Sequence, residues 1–259
     1  MARRTPFHLV DNSPWPLLAS LAGFLAITNF LLLFNTKKFF FFFLRFIFII
    51  SYLWWRDVYR ESSLLRFHTK LVQKNILSRI IWFISSEVFF FLRFFWAFFH
   101  SSLSPCVDLF IIWPPIRVRV LNPLSVPLLN TVVLLSSRLT VTWRHYSIFK
   151  IDREGGFCRL LYTILLRVFF TFLQYIEYSE SSFTITDSVY RSCFFLATGF
   201  HRLHVLVGSL FLIVSLIRHY KRHFSSTHHI RLECSIWYWH FVDVVWVFLY
   251  LSIYWWRSI

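Results

Sequence analysis

The sequence predicts an all-α membrane protein with seven transmembrane helices, and three observations carry that prediction. The 259-residue chain is 57% hydrophobic and only 15% charged, with a mean hydropathy of +0.59. Its apolar residues gather into seven stretches, each near the roughly 20 residues a helix needs to cross a bilayer. Between them lie short polar or proline-rich segments, which end helices rather than continue them. Together these features exclude a disordered chain, a disulfide scaffold and an ordinary soluble enzyme.

The first stretch, 15–34, is closed by the polar turn Asn35-Thr36-Lys37-Lys38. The second, 39–61, opens on the low-complexity run Phe39 to Phe43 and closes on Trp54-Trp55-Arg56-Asp57-Val58-Tyr59-Arg60-Glu61. Paired tryptophans suit a membrane interface. The third, 71–103, carries Glu87 well inside it, and Ser101 to Pro127 reads as a loop because it holds Pro105, Pro114, Pro115, Pro123 and Pro127. Four further spans follow at 126–148, 157–180, 190–217 and 232–256. No internal repeat is visible.

The formal charge of +15 would suit nucleic acid or anionic lipid as partner. The charges here lie between and around apolar segments, so no nucleic-acid partner is expected. Placing the N-terminus inside puts Arg3, Arg4, Arg56, Arg60, Arg66, Lys70, Lys74, Arg144, Lys150, Arg153, Arg159, Arg218, Lys221, Arg222 and Arg231 on the inner side. Only Lys37, Lys38, Arg117, Arg119, Arg191 and Arg257 fall outside, as the positive-inside rule requires. The outer turn after the fifth span reads as acidic, with Glu177, Glu180 and Asp187. Cys106, Cys158, Cys193 and Cys234 form no CxxC pair, so neither a zinc site nor a disulfide framework follows from them. Met1 to Pro16 lacks a compact apolar core and reads as a mature N-terminus rather than a signal peptide.

Five groups of residues carry chemistry. Arg56 and Arg60 are four apart, as are Asp57 and Glu61, so each pair shares a helix face. Beside Trp54-Trp55 they suit either a lipid phosphate held by forked hydrogen bonds or a network pinning the helix end. Glu87 is expected to be protonated or paired, because an ionised carboxylate in hydrocarbon is costly. A role near proton handling stands beside a simple interhelical hydrogen bond. His201 and His204 have a spacing that fits haem or metal only weakly, and hydrogen bonding across helices is the plainer reading. His219, His223, His228 and His229 cluster with Arg218, Lys221 and Arg222, which suits anionic headgroups better than a metal. His240 and Asp243 read as a buried hydrogen-bonding pair. No phosphate loop, nucleophile elbow or HExxH pattern appears, so no catalytic residue is assigned.

Several motifs converge on one family. Phe7-His8-Leu9-Val10-Asp11, Ser13-Pro14-Trp15-Pro16, Trp54-Trp55-Arg56-Asp57, Ser86-Glu87-Val88, Trp113-Pro114-Pro115 and Val126-Pro127-Leu128-Leu129-Asn130-Thr131 resemble cytochrome c oxidase subunit III. So do Ala197-Thr198-Gly199-Phe200-His201, Trp237-Tyr238-Trp239-His240-Phe241-Val242-Asp243 and Tyr250-Leu251-Ser252-Ile253-Tyr254-Trp255-Trp256, in one register over the whole chain. The resemblance implies a single polytopic domain (1–259), with a two-helix bundle over 1–70 and a five-helix bundle over 71–259 set in a V whose cleft holds phospholipids. It implies a core subunit of respiratory complex IV in the mitochondrial inner membrane, with the N-terminus in the matrix and the C-terminus in the intermembrane space. Partners would be subunits I and II and accessory subunits. Haem and copper would sit in partner subunits, leaving this chain no cofactor but structural phospholipids, and its role would be to stabilise subunit I and support proton uptake. Glu87 matches a membrane-buried, carbodiimide-reactive glutamate near a proposed oxygen path. Trp55, Arg60, Glu61, His68, Arg218, Lys221 and His223 match lipid-lining positions. The alternative is a self-sufficient membrane redox protein binding haem through pairs such as His201 and His204.

The family pattern has glycine where this chain has Arg66, Arg79, Arg93, Arg117, Arg138, Arg167, Arg191, Arg202, Arg231 and Arg257. Within a span each arginine costs about 2.5–3.5 kcal/mol at the helix centre. The chain has only 5 glycines and a single methionine, against a usual glycine share of about 7%. Some animal mitochondrial codes read AGA and AGG as glycine and AUA as methionine. The sequence reading is therefore that these ten positions are glycine codons translated by the standard table. Codons of the CGN type at these positions would exclude it.

Overall fold

The computed structural model describes residues 10–36, 41–63, 65, 67–105, 111–115, 121–150, 152–181, 184–224 and 229–256. Arg3, Arg4, the Phe7-His8-Leu9 motif, Lys37, Lys38, Arg66, Cys106, Arg117, Arg119, His228 and Arg257 lie outside them. Among the described residues seven α-helices follow in order: α1 (Trp15–Thr36), α2 (Phe41–Ser63), α3 (Lys70–Leu103), α4 (Val126–Phe149), α5 (Arg153–Glu180), α6 (Val189–Tyr220) and α7 (Ile230–Leu249). A π-helical turn, Tyr250–Trp255, extends α7.

Local chemistry sets the ends. Pro127 sits in the first turn of α4, where a missing N–H costs nothing because it has no intrahelical partner. Asp152 caps α5 by accepting from the Gly155 N–H at 3.0 Å, and Ser188 caps α6 by accepting from Arg191 N. Each such cap contributes about 1 kcal/mol. Asp187 also pairs with Arg191 one turn on. It accepts the Thr184 N–H at 2.7 Å, and this bond first, with Arg191 adding, holds its carboxyl below the usual aspartate value.

Six of these helices, all but α2, are long and apolar enough to cross a membrane. The apolar centre of α2 runs only from Phe46 to Trp55, between Arg45 and the Arg56-Asp57 pair. Its 23 residues still reach about 34 Å at 1.5 Å per residue, more than the roughly 30 Å hydrocarbon core. Snorkelling of the end charges to the interface reconciles that length with its charges.

The chain divides into two compact units, 1–76 and 77–259. In the first, α1 packs on α2 around Ala22 and Ile50, and the Trp15 indole donates to Asp57 Oδ2 at 2.6 Å. In the second, a core of Phe91, Phe98, Leu160, Phe170, Leu212, Trp239 and Trp246 is almost wholly enclosed. Gly208 permits that packing, since a Cβ there would stand 2.6 Å from the Trp239 ring.

Polarity runs inside-out relative to a soluble protein. Leu17, Trp82 and Leu139 are each more than 70% exposed. Asn130, Thr163, Arg167, Gln174, Glu177, Thr198, His201 and Asp243 are buried. The first group suits an apolar surround of lipid or other helices, while the second must find partners within the protein.

Two expectations about charge placement change, and a third charge proves buried. Glu177 does not lie in the outer turn: α5 runs on to Glu180, and Glu177 accepts hydrogen bonds from Gln174 Nε2 at 2.6 Å and Asn130 Nδ2 at 3.4 Å. Arg144, assigned to the inner side, is 1% exposed. It donates to Ser147 Oγ at 2.9 Å and meets His219 Nδ1 at 3.0 Å, in a space that a Cβ on Gly156 would occupy. Asp243 pairs not with His240 but with Arg167 of α5 at 3.0 Å.

Candidate functional site

Glu87 lies at the middle of α3, and its Oε2 is 2.9 Å from Nε2 of His204 on α6. Helical repetition brings both inward: Phe91, one turn from Glu87, is 2% exposed, and Val205, beside His204, is 1% exposed. The Glu87 side chain is 22% exposed and that of His204 10%. Aromatic rings enclose the pair: Phe91 lies edge-on to His204 at 5.1 Å, and Tyr238 stacks at 6.3 Å.

The other imidazole nitrogen fixes the proton count. His204 Nδ1 is 2.7 Å from the Phe200 carbonyl, and a carbonyl only accepts, so Nδ1 carries a hydrogen. Nε2 then either accepts from a protonated Glu87 or donates, as part of an imidazolium, to its carboxylate. In both arrangements one proton is held between Glu87 and His204 and the pair is neutral as a whole. This is the pairing expected of an acid in hydrocarbon, and the short shift of that proton is the chemistry the arrangement offers.

His201, three residues earlier, takes a different partner. Its Nε2 donates to the Val242 carbonyl of α7 at 3.2 Å. The two histidines of the His-x-x-His pattern therefore each bond across a helix interface, to α7 and α3, and do not converge on a common point.

The lipid-contact candidates fall in both units. In the first, Trp55 is 56% exposed, Arg60 is exposed, and Glu61 and His68 are half-buried. Arg56 Nε bonds Asp57 Oδ1 at 3.1 Å, and Asp57 also takes the Trp15 indole. The acidic partner of Arg56 thus serves to tie α1 to α2. In the second unit, Arg218 is buried with its guanidinium 4.9 Å from the Phe224 ring centroid, Lys221 is exposed and His223 half-buried. Burial first, then the Arg218 and Lys221 charges, hold the His223 imidazole below its ordinary value.

Among the ten arginines at family glycine positions, Arg167 is fully buried. Besides Asp243, it lies 3.3 Å from the Trp239 ring centroid. Arg202 faces the Tyr178 ring at 5.6 Å. Arg93 and Arg138 are exposed among exposed apolar neighbours such as Phe89 and Leu139. Neither makes an ion pair among the described residues. Sequence reasoning found Glu87 and His204 separately but not as a pair. It missed the Arg167–Asp243 and Glu177–Gln174–Asn130 groups, whose members are far apart in the chain or read as charges at a span's end.

Comparison with known proteins covers the chain from end to end. The family described as cytochrome c oxidase subunit III matches residues 5–258. A cytochrome c oxidase subunit 3 from Osphranter robustus is 51% identical over 97% of both chains. That from Aedes aegypti is 50% identical over 98% of this chain and 97% of its own. The Pisaster ochraceus protein of the same name is 50% identical over the whole of both. With half of all residues shared in a single register, the chain belongs to the cytochrome c oxidase subunit III family.

Proposed function

We propose that this chain acts as a core subunit of cytochrome c oxidase in the mitochondrial inner membrane, oriented with its N-terminus in the matrix. It holds no redox centre of its own. Haem and copper belong to partner subunits, and this subunit stabilises catalytic subunit I and supports its proton uptake during oxygen reduction. Family membership supports the place in the complex. The inside-out polarity of the helices supports a subunit whose exterior meets lipid and other apolar helices. The haem-binding alternative has no support, since both histidines it needs are engaged by other partners.

One observation carries the mechanistic part: the Glu87–His204 contact at 2.9 Å, neutral as a pair and holding one proton. Such a pair stores a proton at membrane depth without an uncompensated charge. In the same reading, Trp55, Arg60, Glu61 and His68 of the first unit contact phospholipid headgroups, as do Arg218, Lys221 and His223 of the second. Arginine offers forked donors to phosphate and lysine a point charge.

Glu87→Gln tests the role of the pair. Glutamine keeps a donor towards His204 Nε2 but cannot release its proton. Assembly is expected to stay intact while carbodiimide labelling disappears and turnover declines during sustained activity. Loss of assembly would make Glu87 structural, and unchanged sustained turnover would remove it from proton handling.

A further inference from the structure

The strongest unassigned cluster lies where the C-terminal end of α4 meets the N-terminal end of α7, away from Glu87. His145 belongs to the last turns of α4. His229 stands immediately before α7 without a side-chain cap bond, and Glu233 stands one turn further along it. One ligand atom from each lies within 4.8 Å of the other two. Glu233 Oε1 is 3.1 Å from His229 Nε2 and 3.9 Å from His145 Nε2. Sequence reasoning assigned no metal and grouped His229 with a headgroup-binding loop. The structure takes it out of that group: His229 is 7% exposed and faces Glu233 and the His145 ring.

We propose that His145, His229 and Glu233 form a binding site for a divalent first-row metal ion, Zn2+ above all, that clamps α4 to α7. Two imidazole nitrogens and one carboxylate oxygen make a set that zinc accepts, with a water in the fourth position. Imidazole-rich donors disfavour Mg2+ and Ca2+, which take oxygen ligands. The spacing fits as well. Metal–ligand bonds of about 2.0–2.2 Å place tetrahedral ligand atoms about 3.3–3.5 Å apart. The Glu233 distances of 3.1 and 3.9 Å already bracket that value, and a turn of the His145 ring closes the remainder.

The His229/Glu233 spacing of four residues puts both on one face of α7, and His145 supplies the ligand from the facing helix. Side-chain exposures of 34% for His145 and 24% for Glu233 leave a way in for the ion. The site joins two helices that already pack on each other, so binding requires no rearrangement of the backbone. It stands on the geometry of the second unit alone and is independent of the proton role of Glu87.

The test uses the purified oxidase that contains this chain. After chelator treatment it is dialysed against Zn2+, and in parallel against Co2+, whose visible absorption reports tetrahedral coordination. Wild-type enzyme is expected to take up one more equivalent of Zn2+ than Glu233→Gln or His145→Ala enzyme, and the cobalt bands are expected to vanish in both variants. Equal uptake by wild type and variants overturns the proposal. Should the variants fail to assemble, zinc-edge anomalous scattering from wild-type crystals soaked in Zn2+ decides. A peak between the three side chains supports the site, and its absence overturns it. Failure of this chain to purify with the oxidase would instead refute its assigned place in the complex.

Discussion

Replacing Asp243 by asparagine strikes the most constrained charge in the second unit. Arg167 is 0% exposed and Asp243 1%, and a single hydrogen bond of 3.0 Å joins them. Asparagine keeps the shape and one acceptor, so what is lost is the compensation of the guanidinium charge. Breaking a buried ion pair from one side costs about 3–5 kcal/mol. The Trp239 ring beneath Arg167 remains and contributes about 2 kcal/mol to a desolvated cation, which puts the expected loss at the lower end of that range. A loss of about 3 kcal/mol is more than a hundredfold in an equilibrium constant and a large share of the ~5–15 kcal/mol that holds a typical domain. The assay is denaturant-induced release of the subunit from purified oxidase, read beside the level of assembled complex. The double variant Arg167→Met with Asp243→Asn removes both charges and lets a thioether fill the space against Trp239. It should recover about 2 kcal/mol of the loss through coupling of the two sites. An effect of Asp243→Asn below about 1 kcal/mol would refute the argument. It would also be the result expected if position 167 holds glycine.

Further outcomes follow from other contacts. The Asp243→Asn loss holds only for a chain with arginine at position 167, and the intact mass of this polypeptide from native oxidase decides that premise. The codon reading expects a shortfall of ten arginine-to-glycine differences from the written sequence, allowing for isoleucine-to-methionine shifts, and such a shortfall removes the Arg167 argument. A mass equal to the written sequence refutes the codon reading. Gly208→Leu drives a side chain into the Trp239 ring and should destabilise by about 1–3 kcal/mol, seen as earlier release from the complex. Trp15→Phe removes the indole bond to Asp57 and should cost about 0.5–3 kcal/mol, read as protease sensitivity between α1 and α2. The His223 value is depressed in the folded state. Its contribution is therefore present above the unfolded value of about 6.5 and lost as pH falls through the folded value. Anionic lipid in contact with it should reverse this by stabilising the imidazolium, so NMR titration of His223 should move upward when anionic lipid is restored to delipidated enzyme. No movement would remove His223 from the headgroup site.

Hydropathy and turn chemistry settle the helices because both are local. The polar run Asn35–Lys38, whose first two residues α1 still includes, the prolines between α3 and α4, and runs of about 20 apolar residues locate every helix to within a few residues. Polar residues are different. Period 3.6 tells which residues share a face but not which helix that face meets. In lipid no hydrophobic force sorts helix from helix, and partners are chosen by close packing and by unsatisfied polar groups. Glu87 and His204 are 117 residues apart, Arg167 and Asp243 76, and Asn130 and Glu177 47. Glu177 shows the limit clearly: an acid near the end of an apolar span reads as interfacial unless the neighbouring helix is known to cover it with Asn130. The sequence by itself thus determined the seven helices, the membrane environment and the family. Only the tertiary structure decided which acid holds which base, because a buried charge is made tolerable by a neighbour that may stand anywhere along the chain.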